Sequence, residues 1–93
     1  MIVQCEVLEA YNNSVGNIIT IGLLQAVYPP PGTVLFADEN AKWKIVALGM
    51  DRSEMYMGDL SQRFASIWDC IVKPLNHNES VRVGAAVCFD APQ

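Results

Sequence analysis

The residue types that most often perform chemistry are few in this chain, and their spacing is wide. One candidate nucleophile is Cys70, with Asp69 beside it and His77 further along the chain. A nucleophilic cysteine needs a base within hydrogen-bond reach, and nothing in this spacing brings the three side chains together. We therefore expect Cys70 to lie in the core and His77 to lie in a solvated turn, and we expect the protein not to be an enzyme.

Metal and nucleotide chemistry are also disfavoured by the sequence. The chain has three cysteines, Cys5, Cys70 and Cys88, and one histidine, with no closely spaced pair among them. A zinc site needs four well-spaced ligands, and no Gly-rich phosphate-binding motif is present either. We predict no cofactor and no metal. Because Cys5 and Cys88 lie in apolar, alternating segments, we expect both to be buried as small hydrophobic side chains.

The most distinctive local cluster lies in residues 51–59, where methionines and a tyrosine alternate with acids. Flexible methionine side chains form adaptable binding surfaces, although they can also fill gaps beneath a loop. The carboxylates of this segment lack the spacing of a calcium-binding loop. We predict that the segment is a loop and that its partner-binding surface consists of Asp51, Glu54, Met55, Tyr56, Met57 and Asp59.

Alternation of apolar and polar side chains predicts the strands that position these residues. The predicted strands cover residues 2–11, 16–27, 33–36, 42–50, 68–75 and 81–89. A glycine inside the second strand, Gly22, indicates a bulge, a bend or the close approach of another segment. Trp43 and Trp68 lie in apolar, periodic segments, so we expect both to anchor the core.

Side-chain parity assigns faces to four of these strands. In the first strand Val3, Cys5 and Val7 alternate with polar residues, and in the second Ile19 and Ile21 share one face while Ile18, Thr20 and Gly22 share the other. In the fourth strand Trp43, Ile45 and Ala47 share one face. In the last strand one face carries Val81, Val83, Ala85, Val87 and Phe89.

One short helix is predicted over residues 60–67, with Asp59 as its N-cap, and a strand that begins at Phe64 is the alternative.

Six short strands and one helix predict an all-β fold. We expect a small closed or nearly closed six-stranded antiparallel β-barrel with one short helix, formed by residues 1–93 as a single domain. An edge strand left unpaired would allow a homodimer.

Composition and charge restrict the compartment and the partner. The chain has 93 residues, of which 52% are hydrophobic and 17% charged, so we expect a folded protein. Its apolar runs are too short to span a bilayer, and no signal peptide is visible, so we expect a cytoplasmic protein with reduced thiols. A net charge of −4 disfavours nucleic acid. The cations that could still cluster are Lys42, Lys44, Lys73 and Arg82.

The order of motifs resembles the second, β-barrel domain of translation GTPases such as elongation factor Tu. The motifs that carry the resemblance are GNIITIG at residues 16–22, PGTVLF at 31–36, KWKIV at 42–46 and ESVRVG at 79–84. The resemblance covers residues 3–89, and it implies a six-stranded closed barrel. The chain departs from the family in QAV at 25–27, in three consecutive prolines, in residues 51–67, and in lacking the GTPase domain.

In that family the barrel contacts RNA and neighbouring domains, but the matching positions carry over no contact residue. The sequence therefore leaves three functions open. The first is a non-enzymatic module that binds a protein partner. The second is a ribosome- or RNA-associated module related to translation. The third is an acidic cytosolic inhibitor or immunity-type protein that covers a basic enzyme.

Overall fold

Six antiparallel strands close into a barrel in the computed structural model, which describes residues 1–37, 41–55, 63–75 and 79–91. The strands are β1 (Ile2–Asn13), β2 (Gly16–Leu23), β3 (Val34–Phe36), β4 (Lys42–Asp51), β5 (Ser66–Pro74) and β6 (Ala86–Asp90). Their order around the wall is β1-β2-β5-β4-β3-β6, and β6 pairs with β1 to complete the ring. The predicted barrel is confirmed, and each of the six described strands pairs with a neighbour on both sides, which is how closure protects sheet edges.

The interior of the barrel is filled by the inward-facing half of each strand. Alternation places Val3, Cys5 and Val7 of β1 inside, as the sequence predicts. The buried core consists of these three with Ile19, Ile21, Leu23, Leu35, Trp43, Ile45, Cys70, Val72, Val81, Val87, Phe89 and Ala91. Burying one large aliphatic or aromatic side chain stabilises a fold by roughly 1.5–3 kcal/mol, so this core supplies the main stabilising free energy.

Bulges change the facing of side chains in two strands. In β4 the pairing with β5 slips between Ile45 and Ala47, so that Val46 is an extra residue. Consequently Leu48, and not Ala47, packs against the core, and the predicted facing of Ala47 was wrong. In β1 the pairing with β2 slips between Val7 and Glu9. Each bulge adds one residue to one strand and shifts its later side chains to the opposite face.

Two predicted strands are longer than the observed ones. β2 ends at Leu23 rather than at residue 27, and β6 begins only at Ala86. Val81 is buried, but Val83, which was predicted to share its face, is 63% exposed. The reason is a turn at residues 83–84, where Gly84 takes a φ of +88° that L side chains rarely adopt.

The predicted helix over residues 60–67 is wrong at its C-terminal end, because Ser66 and Ile67 belong to β5. Its first residues, 60–62, and its predicted cap Asp59 lie outside the described residues. Arg63, within the predicted helix, is helical, and a short 3₁₀ turn, Ser53–Met55, follows β4. No helix in the described ranges is long and apolar enough to cross a membrane.

Connecting segments lie across both ends of the barrel. At one end the backbone N–H of Leu24 donates to Gln4, and Pro29 is buried. At the other end the side chain of Asn17 accepts a hydrogen bond from the backbone N–H of Val81 at 3.0 Å. Asn17 is a buried polar residue, and this bond lets it close the barrel without leaving its carbonyl oxygen unsatisfied.

Candidate functional site

The candidate nucleophile Cys70 lies on the inward face of β5 and is 1% exposed. Burial, followed by the nearby charge of Asp69, raises the pKa of the Cys70 thiol to about 12. The thiolate is the reactive form of cysteine, so this thiol is a packing residue at neutral pH. The other member of the proposed set, His77, lies outside the described residues.

The other two cysteines differ in burial. Burial raises the pKa of Cys5 to about 12, and Cys5 is a core residue as predicted. Cys88 was predicted to be buried, but it is half-buried, and its thiol donates to the carbonyl oxygen of Phe36 at 3.6 Å. Within the described ranges no three His, Cys, Asp or Glu side chains are grouped so that they could hold a metal ion.

The predicted binding segment 51–59 is described only in its first half. Asp51 is the last residue of β4 rather than a loop residue. Its carboxylate accepts hydrogen bonds from the hydroxyl and the backbone N–H of Ser53, at 2.6 and 2.9 Å, and these bonds lower the pKa of Asp51. Glu54 and Met55 are exposed, which is compatible with partner contact. Tyr56, Met57 and Asp59 lie outside the described residues, so the surface as a whole stays a prediction.

The outer face of the barrel wall divides into a covered half and an open half. In the covered half, a phenyl ring from the segment that precedes β5 lies on β2. A Cβ atom built on Gly22 would be only 2.7 Å from the ring of Phe64, which shows how closely the two residues approach. This approach is one of the three possibilities that a glycine inside a predicted strand indicated. The guanidinium of Arg63 lies 5.0 Å from the centroid of the same ring and pairs with Glu6 of β1 at 3.0 Å.

A polar network lies beside Phe64 in the covered half. The hydroxyl of Thr20 donates to Asp69 at 2.6 Å, and Arg52 pairs with the same carboxylate at 2.9 Å. Arg52 also lies 4.0 Å from Glu9 of β1. Thr20 is almost fully buried although it faces outward, so the covered half is a second, external packing layer. The sequence contains no periodic signal for this layer, because a segment distant in sequence provides it.

The open half begins at the next set of outward-facing residues along the same strands. In the strand register Tyr11 pairs with Ile18, Ile18 with Ile71, and Ile71 with Ala47. Directly opposite side chains in an antiparallel pair have Cβ atoms about 4.5–5.5 Å apart, so these outward side chains form a continuous row. We call Tyr11, Ile18, Val46, Ala47 and Ile71 the outer apolar stripe.

The outer apolar stripe is accessible to solvent. Tyr11 is 57% exposed and Val46 is 47% exposed, while Ile18 and Ile71 are half-buried between them. Exposed hydrophobic residues that are scattered singly need no explanation, but contiguous ones mark interaction surfaces. Sequence reasoning missed this stripe, although the outward parity of Ile18 in β2 was a signal that could have pointed to it.

A cleft of about 410 Å³ adjoins the stripe where the β1–β2 hairpin stands beside β4 and β5. The hairpin contributes Val15, which is 65% exposed, together with Asn12 and Asn13. Strands β4 and β5 contribute Val46, Lys73 and Pro74. The floor is Ile71, whose Cγ2 atom would be 3.3 Å from a Cβ atom on Gly16. The φ of Gly16 is +143°, so glycine is the residue that permits both this turn and the close approach.

Two lysines lie next to this cleft on the outer wall. Lys44 of β4 pairs directly with Lys73 of β5, and both are exposed. Of the four cations that the sequence singled out for clustering, these two are brought together by the strand register. Arg82 is exposed in the segment that precedes β6, and Lys42 begins β4.

Two further features of the wall are less suited to binding. A larger cleft of about 750 Å³ beside β3 contains Lys42 and Asp90, and Asp90 already binds the N-terminal amine at 3.0 Å. Trp68, which was predicted to anchor the core, packs against it from a half-buried position, and its ring is tilted against Tyr28 with ring centroids 5.8 Å apart. Trp43 is buried as predicted, and its indole N–H donates to the carbonyl oxygen of Glu79 at 2.9 Å.

Fold and surface together define a small closed β-barrel with one outward apolar stripe and an adjoining cleft. A scan against protein-family models, a search of curated proteins and a search of solved structures each found no match to this chain.

Proposed function

We propose that this protein is a non-enzymatic binding module of the cytoplasm and that its partner is another protein. The observation that carries the proposal is the outer apolar stripe, which stays exposed while the neighbouring half of the same wall is covered by the chain itself. Protein interfaces are enriched in aromatic and aliphatic side chains at their centres and depleted in charges there. Tyr11 and Val46, at the two ends of the stripe, are the exposed side chains that would lie at the centre of such an interface.

The resemblance to the barrel domain of translation GTPases supports the same proposal. A closed six-stranded barrel is what that resemblance implies, and in that family the barrel contacts neighbouring domains and RNA. We therefore propose that the chain forms a barrel of this type. The outer stripe supplies the contact surface.

A second candidate is a ribosome- or RNA-associated module. It is favoured by one observation, which is that the register places Lys44 directly opposite Lys73. Backbone phosphate contacts depend on clustered positive charge. Two lysines in a chain of net charge −4 make a small cluster, so we rank this function below protein binding.

An affinity pull-down from native cytosol at low salt, with and without nuclease, tests the proposal. The matched variants are Val46→Ser and Tyr11→Ser, which remove exposed apolar atoms and leave the core intact. We expect wild type to recover a protein whose recovery survives nuclease treatment, and we expect both variants to lose it. Ribosomal proteins that vanish on nuclease treatment would support the second candidate. Recovery that is equal for wild type and both variants would contradict the stripe as the contact surface.

The segment at residues 51–59 is tested in the same experiment. Replacing Met55, Tyr56 and Met57 by serine removes its apolar side chains. If partner recovery falls with this variant and not with Val46→Ser, the partner binds the segment rather than the stripe.

A further inference from the structure

We infer that the partner presents an acidic segment with an apolar anchor, and that this segment binds in the cleft between the β1–β2 hairpin and strands β4 and β5. The inference rests on the proposed function, because it names the chemistry of the partner that the same wall would bind. Its support is the juxtaposition of apolar lining residues with Lys73, which lines the cleft, and Lys44, which the strand register places directly opposite Lys73.

The apolar part of the cleft suits one inserted side chain. Val15, Val46 and Ile71 all line the cleft, and Ile71 lies close to Gly16 of the hairpin. The volume of about 410 Å³ exceeds what a single aliphatic or aromatic side chain needs, so a short stretch of backbone fits as well.

The charges around the cleft indicate the sign of the partner. Elsewhere on the wall, cations have acidic partners: Arg52 pairs with Asp69, and Arg63 pairs with Glu6. In the described part of the chain, by contrast, no acidic group lies within salt-bridge distance of Lys44 or Lys73. Like charges that lie directly opposite on one face of a sheet destabilise the pair. A carboxylate placed between the two ammonium groups would remove that repulsion and form charge-assisted hydrogen bonds.

An acidic protein segment fits these observations better than a nucleic acid does. Polyanion binding depends on many distributed cations, and its free energy comes from counterion release along the backbone. Here two lysines border an apolar floor, and the chain as a whole carries a net charge of −4 that repels a long polyanion. One or two carboxylates beside an apolar anchor match both the charge and the floor.

The test is a titration of the isotope-labelled 93-residue chain with peptides of equal length, in which the amide NMR shifts are measured. The first peptide alternates glutamate with leucine and phenylalanine anchors. The second replaces each glutamate by lysine, and the third replaces each anchor by serine. We expect the first peptide alone to shift the amide signals of Val15, Val46, Ile71 and Lys73. Equal shifts with the lysine peptide, or no shifts with any peptide at millimolar concentration, would overturn the inference.

Charge reversal on the protein sharpens the test. We expect Lys44→Glu to weaken binding of the acidic peptide by at least about tenfold, because one ammonium is lost and repulsion is added. The matched control is Arg63→Glu, which makes the same charge change on the covered half and should leave affinity within about twofold, since single surface substitutions away from a site have small effects. Equal weakening by both variants would show a general effect of net charge and overturn the inference.

Two other occupants are separated by the same spectra. Tighter binding of a single-stranded RNA oligonucleotide to these amides would overturn the inference in favour of nucleic acid. Shifts of the same signals with protein concentration alone would identify a second copy of the chain as the occupant and would also overturn it.

The proposed function and this inference fail in different ways. If the pull-down recovers a protein that is lost with Val46→Ser but kept with Lys44→Glu, the protein-binding function stands and the acidic partner is wrong. If the peptide titration succeeds while no protein is recovered from cytosol, the chemistry of the cleft stands and the cellular function is wrong.

Discussion

The covered and open halves of the outer wall are built from the same strands, but the chain covers the outward-facing side chains of only one of them. In the covered half, the chain seals its own outer surface with Phe64 and Arg52, and residues that face outward, such as Thr20, are almost fully buried. In the open half, one residue row further along, Tyr11 and Val46 remain exposed although they are apolar. The difference teaches that this fold can cover apolar outer surface with its own chain. The surface that it leaves uncovered is therefore the part available to a partner.

Residue choice along β2 shows how the two halves diverge. Gly22 leaves room for the ring of Phe64, and Thr20 supplies a hydroxyl to Asp69. Both residues are adapted to something that lies on top of them. Ile18, the next outward residue, offers only apolar surface to its neighbours Tyr11 and Ile71 in the pairing register.

The largest expected effect on the free energy of unfolding at neutral pH comes from removing the phenyl ring that covers the covered half. Phe64→Ala should lower the free energy of unfolding by about 3 kcal/mol, in the range for deleting a buried phenyl ring. Tyr11→Ala, the control in the open half, should cost less than about 1 kcal/mol, because exposed side chains contribute little. Urea denaturation of both variants measures the contrast. Equal losses would mean that the two halves do not differ as described.

The second effect concerns the polar network of the covered half. Asp69→Ala should cost about 2 kcal/mol, since it leaves the buried hydroxyl of Thr20 without its acceptor and removes the closest carboxylate from Arg52. Thermal denaturation of Asp69→Ala together with Thr20→Val provides the check. The double variant should recover part of the loss, because no buried hydroxyl remains. A loss in the double variant equal to the sum of the singles would contradict a coupled network.

The third effect comes from the inward side of the same wall. Burial raises the pKa of Cys5 and of Cys70 from the ordinary value of 9.0 to about 12. In the unfolded chain both thiols lose their protons above pH 9, while the folded chain keeps them. The contribution of the two buried neutral thiols to the free energy of unfolding is therefore fully present below pH 9 and is lost as the pH rises toward 12.

The slope of that loss is about 1.4 kcal/mol per pH unit for each cysteine. Denaturation at a series of alkaline pH values measures it, and Cys70→Ala, which cannot ionise at this position, is the control. The variant is less stable at neutral pH because it leaves a cavity, but its alkaline slope should be smaller. An unchanged slope would mean that Cys70 does not contribute to the alkaline loss.

The smallest expected effect lies at the edge of the open half and has the opposite sign. Lys44→Glu converts a repulsive cross-strand pair with Lys73 into an attractive one and should raise the free energy of unfolding by about 0.5 kcal/mol. The same substitution should weaken the binding of an acidic peptide. A variant that gains stability while it loses binding would mark Lys44 as a residue retained for contact rather than for folding. Lys44→Gln should fall between wild type and Lys44→Glu in both measurements.

Strand positions and the closed barrel followed from the sequence because period-two alternation is a local signal. The inward faces of Val3, Cys5 and Val7, and the glycine that permits a close approach in β2, are read directly from neighbouring residues. Bulges break this rule, because one extra residue such as Val46 exchanges the faces of all later side chains without changing the composition. For this reason the sequence placed Ala47 inside where the barrel places Leu48.

The candidate surface was less accessible to sequence reasoning. The stripe joins Tyr11, Ile18 and Ile71 from three strands, and their proximity depends on a register that no single segment encodes. The pairing of Lys44 with Lys73 depends on the same long-range register. The methionine-rich segment at residues 51–59 drew attention because its composition is local and conspicuous.

The most direct test of the central claim places a photo-crosslinking amino acid at one position at a time and compares adducts formed in native cytosol. The positions are Val46 in the open half, Ala65 beside the covered half, and Met55 in the methionine-rich segment. We predict that Val46 forms an adduct with one protein and that the crosslinked peptide of this protein is rich in Asp and Glu. We predict no adduct from Ala65. Adducts from Met55 or Ala65 without one from Val46 would contradict it.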